Sequence, residues 1–322
     1  MNGQPSPFRL LNSLFTNSPF HLKFILLVLL MGMGILIASL LGILLAMPVF
    51  SLSWEEIRMM AESGFEGGGM ALLKYFQAVQ SVGLFIIPAI LANLLLFSSG
   101  TGIFNKQKNR YFFLITGLIF LTIILAAPLI NQLVYLNSSL RFPESLSGLE
   151  QKLGEMEQER AALTDKILAG TGVADLLINL LVVALLPALG EEFLFRGVLQ
   201  KLLGDWISNQ HLAILITAMI FSAFHLQFYG FLPRMILGLY FGYLLYWSGN
   251  IWFPVVAHLI NNATAVLMIH LSQNNTGILQ NWLGDEYINQ LLPLLLSTGI
   301  TFLLVWNTKR LALRRGVESV YF

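Results

Sequence analysis

Long apolar runs alternate with short polar stretches along this chain. The runs cover 22–50, 72–98, 111–135, 172–190, 212–228, 232–248, 252–271 and 288–306. Most approach or exceed the roughly 20 residues that a helix needs to cross a bilayer core. The pattern predicts an all-α polytopic membrane protein, a bundle of about eight transmembrane helices. The first run is too long for the apolar part of a signal peptide. Pro48 and acidic residues follow it instead of a small-residue cleavage site, so it reads as a retained span. Gly190, Glu191 and Glu192 interrupt the fourth run.

Segment 136–170 is the one sizeable polar stretch. Within it Leu146, Leu149, Leu153, Met156, Leu163 and Ile167 recur at a spacing of three or four, and Arg160 fills the missing slot. That periodicity predicts an amphipathic helix with a short coiled-coil-like seam. It reads as a solvated connector on the bundle, or as a lid or partner-docking helix. The chain thus divides into a tail with three spans (1–135), the polar helical segment (136–170), a helical core (171–308) and a basic tail (309–322).

Composition narrows the function classes. Hydrophobic residues make up 56% of the chain and charged residues 11%, against roughly 25% charged in a soluble domain. This excludes a soluble enzyme and a disordered chain. With 18 basic and 17 acidic side chains the net charge is +1, so no overall field would hold a nucleic acid. There are no cysteines, which removes disulfides, thiolate metal sites and a cysteine nucleophile.

Chemistry therefore has to be sought inside the spans, where ionisable groups are costly and mark reaction sites or pathways. Glu191, Glu192, Arg196, His225 and His258 stand out, with Asn262 beside them. Asp175 and Arg234 lie near run ends, where they can reach water. Glu192 and Arg196 are one helical turn apart and can pair. Glu191 points about 100° away from Glu192 around the helix. Phe221 with His225, and His258 with Asn262, repeat the one-turn spacing. Glu191 and His225 each lie 17 residues from Ser208 in the turn between their helices, which puts them at one level. The register predicts a polar layer on the half of the bundle nearer the 204–210 and 248–250 turns. Those turns are cytoplasmic in the orientation given below.

These residues form three motifs in order: Glu191-Glu192-Phe-Leu-Phe-Arg196, Phe221-Ser-Ala-Phe-His225 and His258-Leu-Ile-Asn-Asn262. A glycine-rich run, Gly238–Gly242, separates the second from the third. The set resembles the CPBP intramembrane proteases, which include the CAAX-prenyl endopeptidases and the bacterial Abi or bacteriocin-immunity-like proteins. The resemblance covers roughly 171–271. It implies an intramembrane endopeptidase in which Glu191 activates a water with the help of His225. His258 and Asn262 would stabilise the oxyanion, with Glu192, Arg196 and Phe221 supporting the site. Asn261 is a rival donor to Asn262. Glu191, His225 and His258 also make up a His₂Glu set of the kind a catalytic zinc uses, so Zn²⁺ is the alternative cofactor. The histidines do not share one helix as in HExxH, so a metal-free site is expected. The expected partners are the bilayer and a membrane-embedded or lipid-modified protein or peptide substrate, with no nucleic acid. A catalytically silent immunity or scaffold protein and a proton-coupled transporter are the competing readings.

Loop charge gives an orientation, since Lys/Arg-rich loops stay cytoplasmic. Arg9 and Lys23, then Lys106, Lys108 and Arg110, then Lys309, Arg310, Arg314 and Arg315 mark three basic segments on one side. Glu55, Glu56, Glu62 and Glu66 lie on the other side, as do Asp285 and Glu286. Both termini are thus expected in the cytoplasm, in a bacterial inner membrane, with 136–170 outside. A single cysteine introduced near Glu157 into this cysteine-free chain should react with an impermeant reagent in intact cells. Reaction only after the cells are opened would reverse the orientation.

Overall fold

The computed structural model describes residues 12, 14–62, 69–97, 109–274 and 291–314. The loop charges at Arg9, Glu66, Lys106, Lys108, Asp285, Glu286 and Arg315 lie outside the described residues. Among those described, every regular element is helical. The helices are α1 (Phe20–Phe50), α2 (Trp54–Glu62), α3 (Met70–Leu96), α4 (Phe112–Leu125), α5 (Ala127–Ser138) and α6 (Ser147–Leu168). They continue with α7 (Val173–Ile207), α8 (Gln210–Phe224), α9 (Phe231–Ser248), α10 (Trp252–Gln273) and α11 (Leu291–Leu313).

Each of the eight apolar runs is largely helical over its described residues, but they are not eight equal spans. Five helices are long and apolar enough to cross a membrane: α1, α3, α7, α10 and α11. The 111–135 run is α4 and α5, bent by 46° at the break before Pro128, and counts as a sixth only if the pair is one span. The two remaining runs fold as a 15-residue helix, α8, and an 18-residue helix, α9, which carries Arg234. By length and composition the described residues thus give five or six spans, against the expected eight. The run interrupted at Gly190 is the longest of all, because α7 continues through Glu191 and Glu192 for 35 residues.

Two apolar clusters hold the bundle. In one, Leu194, Val198 and Leu202 of α7 pack on Ala89, Ala92 and Leu96 of α3 and on Ala213 of α8. In the other, Ile115 and Ile119 of α4 meet Phe241 and Leu244 of α9 and Phe253 of α10. Outside these clusters the surface stays apolar. Leu36, Leu40 and Leu44 of α1 are all exposed. In a bilayer such side chains face acyl chains, which are as apolar as a core, so packing between helices rests on close fit.

α1 shows that fit. A Cβ on Gly34 would collide with the Gly83 carbonyl, and a Cβ on Gly83 with Ala38. The Tyr75 hydroxyl donates to the Gly42 carbonyl at 2.9 Å, tying α3 to the same face. Small residues let the two backbones approach, as in other membrane helix pairs.

The polar segment does form a helix, α6, but its seam is not covered along its length. Leu149 and Leu163 are exposed, while Ile167 and Leu168 at its end are buried. Glu157 accepts a hydrogen bond from the Tyr229 N–H at 3.0 Å, and Phe142 packs on Phe228 at 4.9 Å. The segment is therefore fastened to the 225–230 turn. At its far end, buried Lys74 reaches the Ala169 carbonyl and Asp175, both at 3.4 Å, across the link to α7. Asp175 thus faces a lysine in the structure.

Gly34→Leu should separate α1 from α3. The expected cost is about 1–3 kcal/mol, the usual penalty for overpacking. Gly32→Leu, whose Cβ would meet nothing within 4 Å, is the control. Thermal unfolding in detergent should show a loss for the first variant alone, and equal behaviour would dismiss the close approach as a stabilising contact.

Candidate active site

Three helices and one turn deliver the polar groups. In α7 two π-helical turns, Leu180–Leu185 and Phe193–Leu199, flank Glu191 and Glu192. There the Leu186 N–H bonds to the Leu181 carbonyl, and the Gln200 N–H to that of Phe195, each five residues back. Such widened turns concentrate at functional sites. α8 stops at Phe224, leaving His225 at its C-cap. The next residue, Leu226, has φ of 53°. A left-handed backbone costs a side-chain-bearing residue roughly 1–2 kcal/mol, and here it turns the chain away directly after the histidine. α10 presents His258, Asn261 and Asn262 from successive turns.

At the centre lies a charged network. Arg196 Nη1 donates to Glu192 Oε1 at 2.8 Å, with both side chains fully buried. His258 Nδ1–H donates to the same oxygen at 2.8 Å. Arg196 Nη2 donates to the Gly238 carbonyl at 3.1 Å. The guanidinium also sits over the Phe221 ring, 4.3 Å from its centroid, and Phe241 stacks on His258 at 5.3 Å. Side chains of α7, α8, α9 and α10 thus close around one arginine.

Glu191 faces the other way, into a cavity of about 360 Å³ lined in part by His225, His258, Asn261 and Asn262. Its Oε2 lies 3.9 Å from His225 Nε2 and 4.0 Å from His258 Nε2, and this buried oxygen has no hydrogen-bond partner in the protein. The His225 Nδ1–H donates to the Phe221 carbonyl at 2.9 Å. Both rings therefore hold a hydrogen on Nδ1 and turn Nε2 toward Glu191. Asn262 donates to the Val183 carbonyl at 3.3 Å and accepts from Asn261 at 3.1 Å.

Zinc would have to draw on the same three side chains. Among the described residues no group of three His, Asp or Glu side chains is arranged to hold a metal ion.

The structure brings together Glu191, Glu192, Arg196, Phe221, His225, His258 and Asn262. It also adds groups that the spacing did not supply. Arg234, in the first turn of α9, lines the cavity, and Thr164 and Leu168 of α6 line it too. The cavity extends along α10 to Ile269. It therefore reaches the α6 end of the bundle, away from the 204–210 and 248–250 turns where the register had put the polar layer. The 17 residues that separate Ser208 from Glu191 and from His225 span about 25 Å at helical rise, most of the way across a bilayer core. An arginine within an apolar run was the available signal for Arg234, but its direction depends on the turn before α9.

Comparison with known proteins falls on this same stretch. Residues 173–264 match the family described as type II CAAX prenyl endopeptidase Rce1-like. The family resemblance of this segment is thereby shown. The Rce1-like stretch runs from the start of α7 through Asn262 and so contains all three motifs. The uncharacterized protein YpbD of Bacillus subtilis (strain 168) is 30% identical over 95 residues, 28% of this chain and 46% of the relative. The match thus spans under half of that relative's length. No solved structure matches the chain.

Arg196→Ala leaves Glu192 buried without its countercharge, at a cost of roughly 3–5 kcal/mol. The single variant should lose folded yield, and Glu192→Ala in the same chain should restore part of it. Equal yields of the single and double variants, read by size-exclusion chromatography, would show that the pair does not hold this layer.

Proposed function

We propose that the protein is an intramembrane endopeptidase that hydrolyses a peptide bond of a membrane-associated protein or peptide. A glutamate-activated water is the nucleophile. The observation that carries this reading is the unbonded Glu191 Oε2 facing two imidazole nitrogens at 3.9 and 4.0 Å. Those gaps are too long for direct hydrogen bonds and suit a bridging water.

In this mechanism Glu191 takes a proton from the water as its oxygen attacks the scissile carbonyl carbon. His225 Nε2 accepts the water's second hydrogen and orients it. The carbonyl electron pair moves onto oxygen. His258, protonated and held through Nδ1 by Glu192, donates from Nε2 to that oxyanion, and the Asn262 amide adds a second donor. Glu191 then passes its proton to the leaving amine nitrogen as the C–N bond breaks. Glu192 and Arg196 do not react. They fix the His258 ring so that its second nitrogen meets the cavity.

The match over residues 173–264 supports the protease class, and the CAAX label leaves the substrate open. In the orientation read from the loop charges, with both termini in the cytoplasm of a bacterium, the α6 end of the cavity faces outward.

Glu191→Gln and His225→Ala should abolish turnover, and Asn262→Ala should slow it by about 10²–10³-fold, as loss of one oxyanion donor does. Proteomics of membranes carrying wild type or Glu191→Gln should show peptide fragments in the first alone. Identical fragment sets would overturn the protease reading. Activity should also persist in chelators, whereas loss that added Zn²⁺ reverses would replace the metal-free mechanism and leave the protease standing.

A further inference from the structure

Arg234 lines the same cavity as Glu191 and His225. It belongs to the first turn of α9, and its guanidinium folds back over the turn that precedes the helix. A Cβ on Gly230 would lie 2.5 Å from both Nη1 and Nη2, so the fork rests directly on that glycine's backbone. Nη1 donates to the Gln227 carbonyl at 3.4 Å, and Nη2 donates to the Gln227 side-chain oxygen. Both acceptors are neutral, so they position the fork without cancelling its charge. Among the described residues no carboxylate lies within 4.0 Å of it, and the acids whose charges act on it are Glu157 and Glu191. Neither is committed to it. Glu157 accepts from the Tyr229 N–H at 3.0 Å, and Glu191 turns to the two histidines.

A half-buried guanidinium held by neutral groups keeps donors and charge in reserve, which favours an incoming anion. A planar carboxylate matches the fork in two parallel hydrogen bonds. The surrounding walls are apolar, from Leu168, Leu237, Val266 and Ile269. Arg234 would offset the repulsion that a carboxylate entering beside Glu191 meets from that side chain. We infer that Arg234 is a specificity-determining residue that binds a carboxylate of the peptide substrate. The group is either the C-terminal carboxylate or an Asp/Glu side chain near the scissile bond. This inference rests on the protease reading for the meaning of the cavity, and its test does not depend on turnover.

The test measures binding of three peptides to the full chain in detergent micelles, in the Glu191→Gln background so that nothing is consumed. The probes are acetyl-Ala-Leu-Leu-Phe as the free acid, the same peptide as its C-terminal amide, and acetyl-Ala-Leu-Glu-Phe amide. At least one carboxylate probe should bind about tenfold tighter than the plain amide, the effect of one charged hydrogen-bonded contact. The better one names the source of the carboxylate. Arg234→Gln should bring the ratio near one while the plain amide still binds, and Arg234→Lys should keep part of it. Gly230→Ala, which displaces the fork and leaves its charge, should shrink the ratio independently. Equal binding of all three probes, or a preference that survives Arg234→Gln, would overturn the proposal. A preserved preference in a protein that yields no fragments in cells would instead remove the protease reading and leave the carboxylate site.

Discussion

A carboxylate and a guanidinium taken out of water cost several kcal/mol each unless they find each other and fill their remaining hydrogen bonds. Glu192 and Arg196 meet that condition at 2.8 Å, with both side chains fully buried. Removing either one would leave the other in a dry site without its ion-pair partner. The pair also reaches beyond its own helix. His258 of α10 and the Gly238 carbonyl of α9 bond to it, and the Phe221 ring of α8 lies under the guanidinium. Apolar packing in lipid has little power to choose between helix registers, since tails and leucines are alike to it. A buried polar knot with directional bonds selects one register, and here it fixes four helices at the level of the cavity.

That anchoring explains why two carboxylates adjacent in sequence differ in environment. Glu192 is sealed in the knot, while Glu191 faces the cavity 3.9 and 4.0 Å from the two imidazoles. The π turns on both sides shift the helix face where it changes from apolar packing to the polar site. The left-handed Leu226 performs a similar service for His225, ending α8 so that the ring stands at a helix terminus. Both devices give up regular hydrogen bonding or backbone comfort for placement, and such costs tend to collect where function needs a particular geometry.

The cavity is bounded by more than the Rce1-like stretch. α6 contributes Thr164 and Leu168, and its Glu157 caps the turn from which Arg234 reaches in. At its other end Lys74 and Asp175 pin the link between α6 and α7. The polar segment is therefore attached at both ends to the elements that build the site, and its exposed middle leaves the long seam uncovered.

The sequence by itself determined the helical, membrane-embedded class, because runs of apolar residues of span length admit few other structures. It also determined which polar residues share a helical face: the one-turn spacings of Glu192 with Arg196, Phe221 with His225, and His258 with Asn262 follow from helix geometry alone. It did not fix the number of spans, since an apolar run does not reveal where a helix bends, as at Pro128, or stops short, as at Phe224. Only the tertiary structure decided that His258 bonds to Glu192, that Glu191 keeps a free oxygen, and that the cavity lies toward α6. It also turned Arg234 inward, through a glycine and a glutamine in the turn before α9. Those outcomes depend on relative depth, rotation and turn direction among different helices, and no periodicity within a single segment encodes them.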